Sequence, residues 1–348
     1  MPTAGPSPNP RAHRRCLTAA AGISLTLALA ACGSDAEQPD TREEPTESTE
    51  TAGAVTLSGE WPLTGETLEG DLPDHPVYVV KIDNTSSSSP QVGLDSADLI
   101  VEELVEGGST RLAVFYYSGL PDEAGPVRSA RASDIGIVKP VSATVVASGG
   151  APKTVNRLER ADIATLTEGA PGYFRDDGRA APYNLFVRLS ETADEPGSDD
   201  KPPLQPYFSF GDEGDFAGDI QAQTIEATFS GGHTTAWQYA DGGWTRPDSS
   251  AENGDDFVAD NVLLVRVKVG DAGYLDPAGN PVPETEFYGK GEAVLVHGDK
   301  AIKCRWRKPG LAGAIRLIGK DGSEVQVPRG RTWIELIPAK DGEITVSP

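Results

Sequence analysis

Strand-like and helix-like patterns alternate along the first ordered part of the chain. The run VYVVKID (77–83) is β-branched and apolar, which predicts a short buried strand. ADLIVEELVEGG (97–108) fits strand or helix, but the GGST turn before RLAVFYYS (111–118) favours a β-hairpin. SARASDIGIVKP (129–140) predicts a helix that stops before its proline, SATVVASGG (142–150) a buried strand, and APKTVNRLER (151–160) a second helix. Alternating strands and helices predict an α/β-type domain with a mixed, partly parallel sheet.

The pattern changes after an acidic, proline-rich stretch, ETADEPGSDDKPPLQP (191–206), which is typical of a linker or a long surface loop. Beyond it, short apolar runs are separated by turn signals such as Asp321-Gly322, and no convincing helix intervenes. This pattern predicts a mostly antiparallel, β-rich domain, either a curled sheet or a small sandwich. The predicted strands are TIEATFS, TAWQYA, NVLLVRVKVG, GEAVLVHG, KAIKCRWRK, AIRLIG, EVQVP and RTWIELIP.

The N-terminus has the pattern of an exported lipoprotein. A positive region that ends at Arg14-Arg15 precedes the apolar run LTAAAGISLTLALAA (17–31), which is too short for a comfortable membrane span. The run ends in LAACG (29–33), which resembles a lipobox, where a lipid is placed on Cys32 and the chain is cut just before it. An ordinary secretory signal with a chance cysteine is the alternative, and the arginine pair leaves general secretory and twin-arginine export both open.

These patterns together predict an α+β protein in five segments. We expect a lipoprotein signal peptide over 1–31, an acidic disordered tether over 32–60, and an N-terminal α/β domain over 61–190. The linker or loop at 191–206 then leads to the C-terminal β-rich domain at 207–348. The tether interpretation rests on dense acids with Pro, Ser and Thr between them, a composition that cannot bury enough apolar surface to offset ordering entropy.

Charge restricts the class of partner. The chain has 30 Lys and Arg against 53 Asp and Glu, a formal net charge of −23. A broad basic face for nucleic acid is therefore excluded, and so is electrostatic adhesion to anionic lipid. We expect the membrane to be reached only through the lipid on Cys32.

Cysteine and histidine usage predicts neither a metal site nor a cofactor. Cys304 is the one thiol expected in the folded part, and its alternating context AIKCRWR predicts a buried small hydrophobe rather than a nucleophile. No Cys/His spacing suggests zinc, and no GxSxG, HExxH or P-loop motif occurs. None of the histidines has the context of a catalytic triad.

Candidate binding residues come from polar positions at the ends of elements in the first domain. Strand ends flanked by glycines and helix starts are where open α/β sheets bind ligands. The arginine pair in GPVRSAR (125–131) offers bidentate hydrogen bonds to a carboxylate or a phosphate. The expected anion-binding residues are Asn84, Arg111, Arg128, Ser129, Arg131, Ser148, Gly149, Gly150 and Asn184.

Two alternatives use the same residues. The arginines would pair internally with Glu102, Glu106 or Asp134 in a buried network, as arginines in acidic proteins usually do. Alternatively, Asp83 or Glu106 would act as a base in a hydrolase or transferase. A Glu102–Glu103 acid/base pair is weaker, because neighbours on a strand face opposite ways.

The motifs together resemble the YerB-like family of bacterial lipoproteins, which occurs mostly in Gram-positive bacteria. The residues concerned are IDN (82–84), PQVGLDSADLIVEELVEGGSTR (90–111), GPVRSAR, SGG (148–150), FRDD (174–177) and PYN (182–184). DNVLLVRVKV (260–269), YGKGEA (288–293) and RGRTWIELIP (329–338) resemble the second, β-rich part of that family. The resemblance implies a two-part protein of unknown function on the outer face of the cytoplasmic membrane.

The sequence departs from the family pattern at two positions. Ser148 and Tyr183 stand where histidines are usual, which argues against catalysis by imidazole and favours binding or architecture. We therefore expect a lipid-anchored binding or adaptor protein of the envelope, with a cell-wall component or an envelope protein as partner. The alternatives are an envelope hydrolase or transferase acting on wall glycan or peptide, and a structural partner in a wall or division complex.

Overall fold

The structure, a computed structural model, describes residues 59–192 and 205–348. The predicted signal peptide, Cys32, the tether up to residue 58 and most of the 191–206 segment lie outside the described residues. Among the residues that are described, no helix has the length and apolarity needed to cross a membrane.

The first part of the chain alternates strands with short helices: β1 (Tyr78–Asp83), β2 (Leu99–Leu104), β3 (Thr110–Tyr116), α1 (Asp134–Val138), β4 (Thr144–Val146), α2 (Pro152–Arg160), β5 (Thr165–Leu166), β6 (Tyr173–Arg175), β7 (Leu185–Val187) and α3 (Leu189–Thr192). The predicted hairpin is confirmed, because β2 and β3 pair antiparallel. The helix predicted over 129–139 is shorter. Residues before it form backbone hydrogen bonds to other segments instead. Arg128 N–H donates to the carbonyl of Lys81 in β1, and Ala130 N–H donates to that of Gly149.

The second part contains strands and no α-helix in its described residues: β8 (Phe210–Gly211), β9 (Ile220–Gln221), β10 (Thr224–Ser230), β11 (His233–Ala240), β12 (Gly243–Thr245), β13 (Asn261–Leu275), β14 (Pro281–Glu286), β15 (Gly289–His297), β16 (Lys300–Lys308), β17 (Arg316–Ile318), β18 (Glu324–Val325), β19 (Val327–Pro328), β20 (Thr332–Pro338) and β21 (Glu343–Ser347). The predicted α+β class, with a mixed sheet followed by mostly antiparallel strands, is confirmed.

One large sheet contains strands from both parts of the chain. Its strand order is β18-β17-β16-β15-β13-β20-β2-β3-β1-β4-β5. The late strand β20 lies between β13 and β2 and is parallel to both, with pairs such as Val101↔Ile334 and Leu263↔Ile334. The two sequence segments therefore share a continuous backbone hydrogen-bond network.

The large sheet is covered on both faces, so its central strands are buried throughout. One face, which carries Val79 and Val101, packs with Ile137 of α1 and Leu158 of α2 in the first core. The other face packs against a second sheet, of order β12-β11-β10-β21, through Trp237 and neighbouring apolar residues. Residues alternate between these two cores along each strand, as the pleat requires.

Candidate functional site

Strands β1 and β2 finish, and β3 begins, with charged side chains on both faces of the large sheet. Asp83, Glu103 and Arg111 follow the register of Val79, Val101 and Ala113, so they lie on the face covered by α1 and α2. Glu102 is one residue out of phase and lies on the opposite face. Because of this alternation, the predicted polar residues divide into two separate clusters.

The first cluster, here the arginine cluster, consists of Asp83, Glu106, Arg111, Arg128 and Arg131. Arg131 holds Glu106 through two hydrogen bonds, one from Nε to Oε2 at 2.9 Å and one from Nη2 to Oε1. Burial raises the pKa of the Glu106 carboxyl, but the hydrogen bond and charge of Arg131 outweigh burial, so this pKa lies below its usual value. The pair is a bidentate ion pair that leaves Arg131 little capacity for a ligand.

Arg111 is buried beneath this pair. Its Nη1 donates to the Ser129 carbonyl at 2.8 Å, and its Nη2 lies 4.0 Å from Glu106 Oε1. Its Nε has no hydrogen-bond acceptor within the described residues. Burial, followed by the charge of Arg131, lowers the pKa of Arg111 to about 10.

Arg128 is the most accessible of the three arginines. Its side chain is 22% exposed, and its Nε lies 3.4 Å from Asp83 Oδ2, at ion-pair rather than hydrogen-bond geometry. Its guanidinium carbon lies 5.1 Å from the centre of the Tyr183 ring. Its Nη1 is buried and has no acceptor in the described part of the chain. Asp83 Oδ1 is itself occupied, since the Thr85 N–H and hydroxyl both donate to it.

The loop before α2 lies beside the arginine cluster and supplies backbone donors. Ser148 N–H donates to the Arg128 carbonyl, and the hydroxyls of Ser129 and Ser148 are 3.3 Å apart. Gly149 has a φ of +121°, and a Cβ built on it would meet no atom within 4 Å. The N–H groups of Gly149 and Gly150 have no acceptor among the described residues. Neighbouring free N–H groups at a helix start can hold an anion.

The two predicted asparagines lie outside the arginine cluster. Asn84 lies with Glu102, to whose Oε1 its Nδ2 donates at 3.0 Å. Asn184 lies on the exposed β6–β7 side, where its Oδ1 accepts from Arg175 Nη1 at 2.6 Å, while Arg175 also pairs with Glu168. The structure therefore brings together the predicted arginines, serines and glycines but not the two amides.

An open cavity of about 870 Å³ adjoins Tyr183. The FRDD and PYN motifs contribute much of its lining, through Phe174, Arg175, Asp176 and Tyr183. Tyr183 therefore contacts both Arg128 and this cavity, although Arg128 itself is not one of the lining residues.

A buried triad behind the arginine cluster was not predicted. Lys81 Nζ lies 2.9 Å from Glu103 Oε1 and 2.6 Å from Asp134 Oδ1, and all three side chains are fully buried. Burial raises the pKa of Glu103, with the charge of Lys81 opposing it. The available signal was a lysine inside the apolar run VYVVKID, since a lysine is almost never fully buried unless it is paired. Asp134, expected to pair with the side chains of Arg128 or Arg131, pairs with Lys81 and accepts only the backbone N–H of Arg131.

The second cluster lies on the opposite face and contains Glu102, His233, Thr235, Trp237 and Glu335. Glu102 Oε1 lies 2.8 Å from His233 Nε2 and accepts from the Thr235 hydroxyl at 2.9 Å. Glu335 is the β20 partner of Glu102 and accepts from Trp237 Nε1 at 2.7 Å. Burial, and then the charge of Glu102, raises the pKa of Glu335 well above its usual value.

This geometry corrects the expectation that Glu102 pairs with the arginines. A carboxylate one residue out of phase with Glu103 cannot reach them, because the sheet separates the two side chains. The sequence offered no signal for the partner His233, which lies 131 positions away in a different sheet. Within the described residues, no group of three or more His, Cys, Asp or Glu has a metal-binding arrangement.

Fold and site together define a class: a two-part α+β protein whose parts share one sheet, with buried charge clusters on both faces at the strand ends. Family comparison agrees with this class. The model "Protein of unknown function (DUF3048) N-terminal domain" matches residues 63–200, and the corresponding C-terminal domain model matches residues 225–334. The chain belongs to the DUF3048 family, and the predicted resemblance is confirmed.

Individual relatives carry the YerB name. A Bacillus subtilis protein named "Putative lipoprotein YerB" is 26% identical over 297 residues, which cover 80% of this chain and 86% of that protein. The crystal structure of the YerB protein from Bacillus subtilis matches with a TM-score of 0.67 at 22% identity. The structural match covers 82% of this chain and 99% of that one, so the two proteins share a fold.

Proposed function

We propose that this protein is a lipid-anchored binding protein of the bacterial envelope. Cys32 carries the lipid and holds the chain on the outer face of the cytoplasmic membrane in a Gram-positive-type envelope. The ligand presents a carboxylate or a phosphate to Arg128 and to the Ser148-Gly149-Gly150 loop. It is a wall component or an acidic group of an envelope protein.

The anchoring part of the proposal is supported by the chain's own N-terminus and by a relative. LAACG at residues 29–33 has the form of a lipobox after a short apolar run. The Bacillus subtilis relative has the name "Putative lipoprotein YerB". With a net charge of −23, an anchored lipid is the route to the membrane that the chain's chemistry favours.

The observation that carries the binding part is the unsatisfied guanidinium of Arg128. Arg131 is held by a bidentate carboxylate and Arg111 by a backbone carbonyl, whereas Arg128 donates no side-chain hydrogen bond within the described residues. A buried donor without an acceptor is rare, because its desolvation is not compensated. A bound anion would supply the missing acceptor.

An Arg128→Gln variant tests this assignment. We expect the full-length protein, purified in detergent, to bind N-acetylmuramic acid or glycerol phosphate, and the variant to bind it about tenfold to a hundredfold more weakly. A hydrogen bond to a charged group contributes roughly 1.5–3 kcal/mol, which corresponds to that range. Isothermal titration calorimetry measures the affinity, and the two probes separate carboxylate from phosphate recognition.

The matched control is Arg175→Gln, which removes an arginine of the adjoining cavity that already pairs with Glu168. This variant should bind the probe as the parent protein does. Equal binding by the parent and the Arg128→Gln variant would refute the anion site. A loss of more than about 2 kcal/mol in the free energy of unfolding of Arg128→Gln would instead assign Arg128 a structural role.

No observation favours an envelope hydrolase using Asp83 or Glu106. Each carboxylate is already engaged, Asp83 by Thr85 and Arg128, and Glu106 by Arg131. A general base must accept a proton from its substrate, and Glu106, whose pKa the ion pair with Arg131 lowers, does so poorly at neutral pH.

A further inference from the structure

A groove of about 970 Å³ lies in the C-terminal part of the chain, well apart in sequence from the arginine cluster. One wall is the strand β21, and the floor is formed by β15, β16 and β17. We call it the basic groove, because four of its lining residues are cations in a chain of net charge −23: Arg266, Lys303, Arg305 and Lys320. The carboxylates that line it are Glu292 and Glu343.

Most of these cations lack a carboxylate partner. Arg266 donates to the carbonyls of Gly342 and Ala339, whereas Lys303, Arg305 and Lys320 form neither an ion pair nor a side-chain hydrogen bond within the described residues. Arginine and lysine in an acidic protein usually find internal carboxylates. A row of unpaired cations is therefore a surface with charge available for another molecule.

The wall of the groove is an open sheet edge. The second sheet has the order β12-β11-β10-β21, so β21 pairs on one side only. The floor continues beyond that edge, since Val294, Lys303 and Ile318 lie on the face that this sheet covers elsewhere. The second sheet thus leaves part of the large sheet uncovered beside β21. The free backbone groups of β21 at this edge can pair with an added strand.

We propose that the basic groove binds an extended acidic segment of a partner polypeptide, which adds to β21 as a fifth strand of the second sheet. Main-chain hydrogen bonds to β21 provide affinity, and alternate side chains point down to the floor. Acidic side chains at those positions meet Lys303 and Arg305, and small apolar ones fit beside Val294 and Ile318. β21 has five residues, a length of roughly 16 Å at ~3.3 Å per residue.

Charge also distinguishes this occupant from a second copy of the chain. Edge-to-edge pairing of two β21 strands would bring two basic grooves together and place like charges opposite one another. The chain's own acidic segment at 33–58 has suitable charge, and the experiment separates it from a partner in trans.

The test uses the full-length protein in detergent and a fluorescein-labelled heptapeptide, Glu-Val-Glu-Val-Glu-Val-Glu, with fluorescence polarisation as the readout. We expect the peptide to bind, and its binding to weaken as salt rises. The Lys303→Glu/Arg305→Glu variant should bind at least about tenfold more weakly, because it reverses the complementary charge. Both side chains are exposed, and neither forms an ion pair with another described residue, so the variant is expected to fold like the parent.

The controls separate charge from backbone pairing. Arg160→Glu/Lys268→Glu reverses two exposed cations outside the groove and should change affinity less than about twofold. The same peptide with every amide N-methylated, which cannot donate hydrogen bonds to β21, should not bind.

Several results would overturn the proposal. They are absence of binding by the parent protein, equal binding of a peptide with Lys in place of Glu, and unchanged binding to the Lys303→Glu/Arg305→Glu variant. Binding that appears only after deletion of residues 36–56 would assign the groove to the chain's own acidic segment. If light scattering shows dimers that the peptide dissociates, the groove is assigned to a second copy of the chain.

Discussion

At the scale of single residues, the carboxyls of Glu102 and Glu335 are two acidic groups buried side by side. They occupy partner positions on adjacent parallel strands and are fully buried. Burial raises the pKa of Glu102, but the hydrogen bond and charge of His233 outweigh it and leave that pKa below its usual value. Within the described part of the chain, Trp237 is the one hydrogen-bond donor to Glu335, so the pair divides into one carboxylate and one neutral carboxylic acid.

The raised pKa of Glu335 predicts a pH-dependent stability. Between the ordinary pKa of an unfolded glutamate and the higher folded value, the folded state binds the extra proton, so the free energy of unfolding falls as pH rises. Glu335→Gln replaces the neutral acid by a neutral amide and should remove up to about 1.4 kcal/mol per pH unit of this slope. Urea unfolding from pH 5 to 8 measures it.

The comparison of slopes isolates Glu335, because other buried carboxyls with a raised pKa, such as Asp98, contribute equally to both proteins. Parallel pH profiles for the parent and Glu335→Gln would show that Glu335 is ionised in the folded state. That result would contradict the assignment of one proton to the pair.

At the scale of elements, the β15–β16 hairpin shows why a motif glycine is required. Gly291, in YGKGEA, lies opposite Trp306 in the register of the two strands. Trp306 Nε1 donates to the Arg266 carbonyl at 2.9 Å directly above Gly291. A Cβ on Gly291 would lie 2.5 Å from that nitrogen and 2.6 Å from that oxygen. The hydrogen bond that joins β13 to β16 therefore requires a residue without a side chain.

Gly291→Ala should destabilise the protein by about 1–3 kcal/mol, because the new methyl group displaces the buried Trp306 indole. The free energy of unfolding in urea measures the loss. Gly231→Ala is the matched control, since a Cβ at Gly231 meets no atom within 4 Å. Equal stability of the two variants would show that the hairpin accommodates the methyl group.

At the scale of the whole molecule, β20 makes the two parts of the chain interdependent. It pairs with β13 from Asn261↔Thr332 to Val267↔Pro338, and with β2 from Leu99↔Thr332 to Glu103↔Leu336. Its removal would leave β2 with an open, apolar edge in the centre of the sheet. Glu335 lies on the same strand, so β20 also contributes a carboxyl to the second cluster.

Cleavage between the two parts should therefore leave them associated. With a protease site inserted between residues 193 and 204, the cut halves are expected to co-elute in size-exclusion chromatography and separate only in denaturant, because shared strands bury apolar surface and pair backbone groups. The uncut protein is the control. Halves that separate under native conditions would contradict a cooperative sheet.

Local features were predictable from the sequence because they depend on neighbours in the chain. The β2–β3 hairpin followed from the GGST turn, and the start of α2 at Pro152 followed from its proline. The burial of Cys304 followed from strand alternation, and burial raises the pKa of its thiol to about 12. The clustering of Arg111, Arg128 and Arg131 followed from polar residues at strand ends.

By itself, the sequence determined the α+β class, the β2–β3 hairpin, the family and the candidate arginines, because pattern, turn chemistry and motifs are local properties, whereas strands such as β14 and β21 were not predicted. Tertiary structure alone decided which strands are neighbours, and it placed β20 beside β2. It also decided which face each charge occupies, so Glu102 meets His233 and Glu335 rather than the arginines. The physical reason is that a shift of one residue moves a side chain across the sheet, and its partner there can come from any part of the chain.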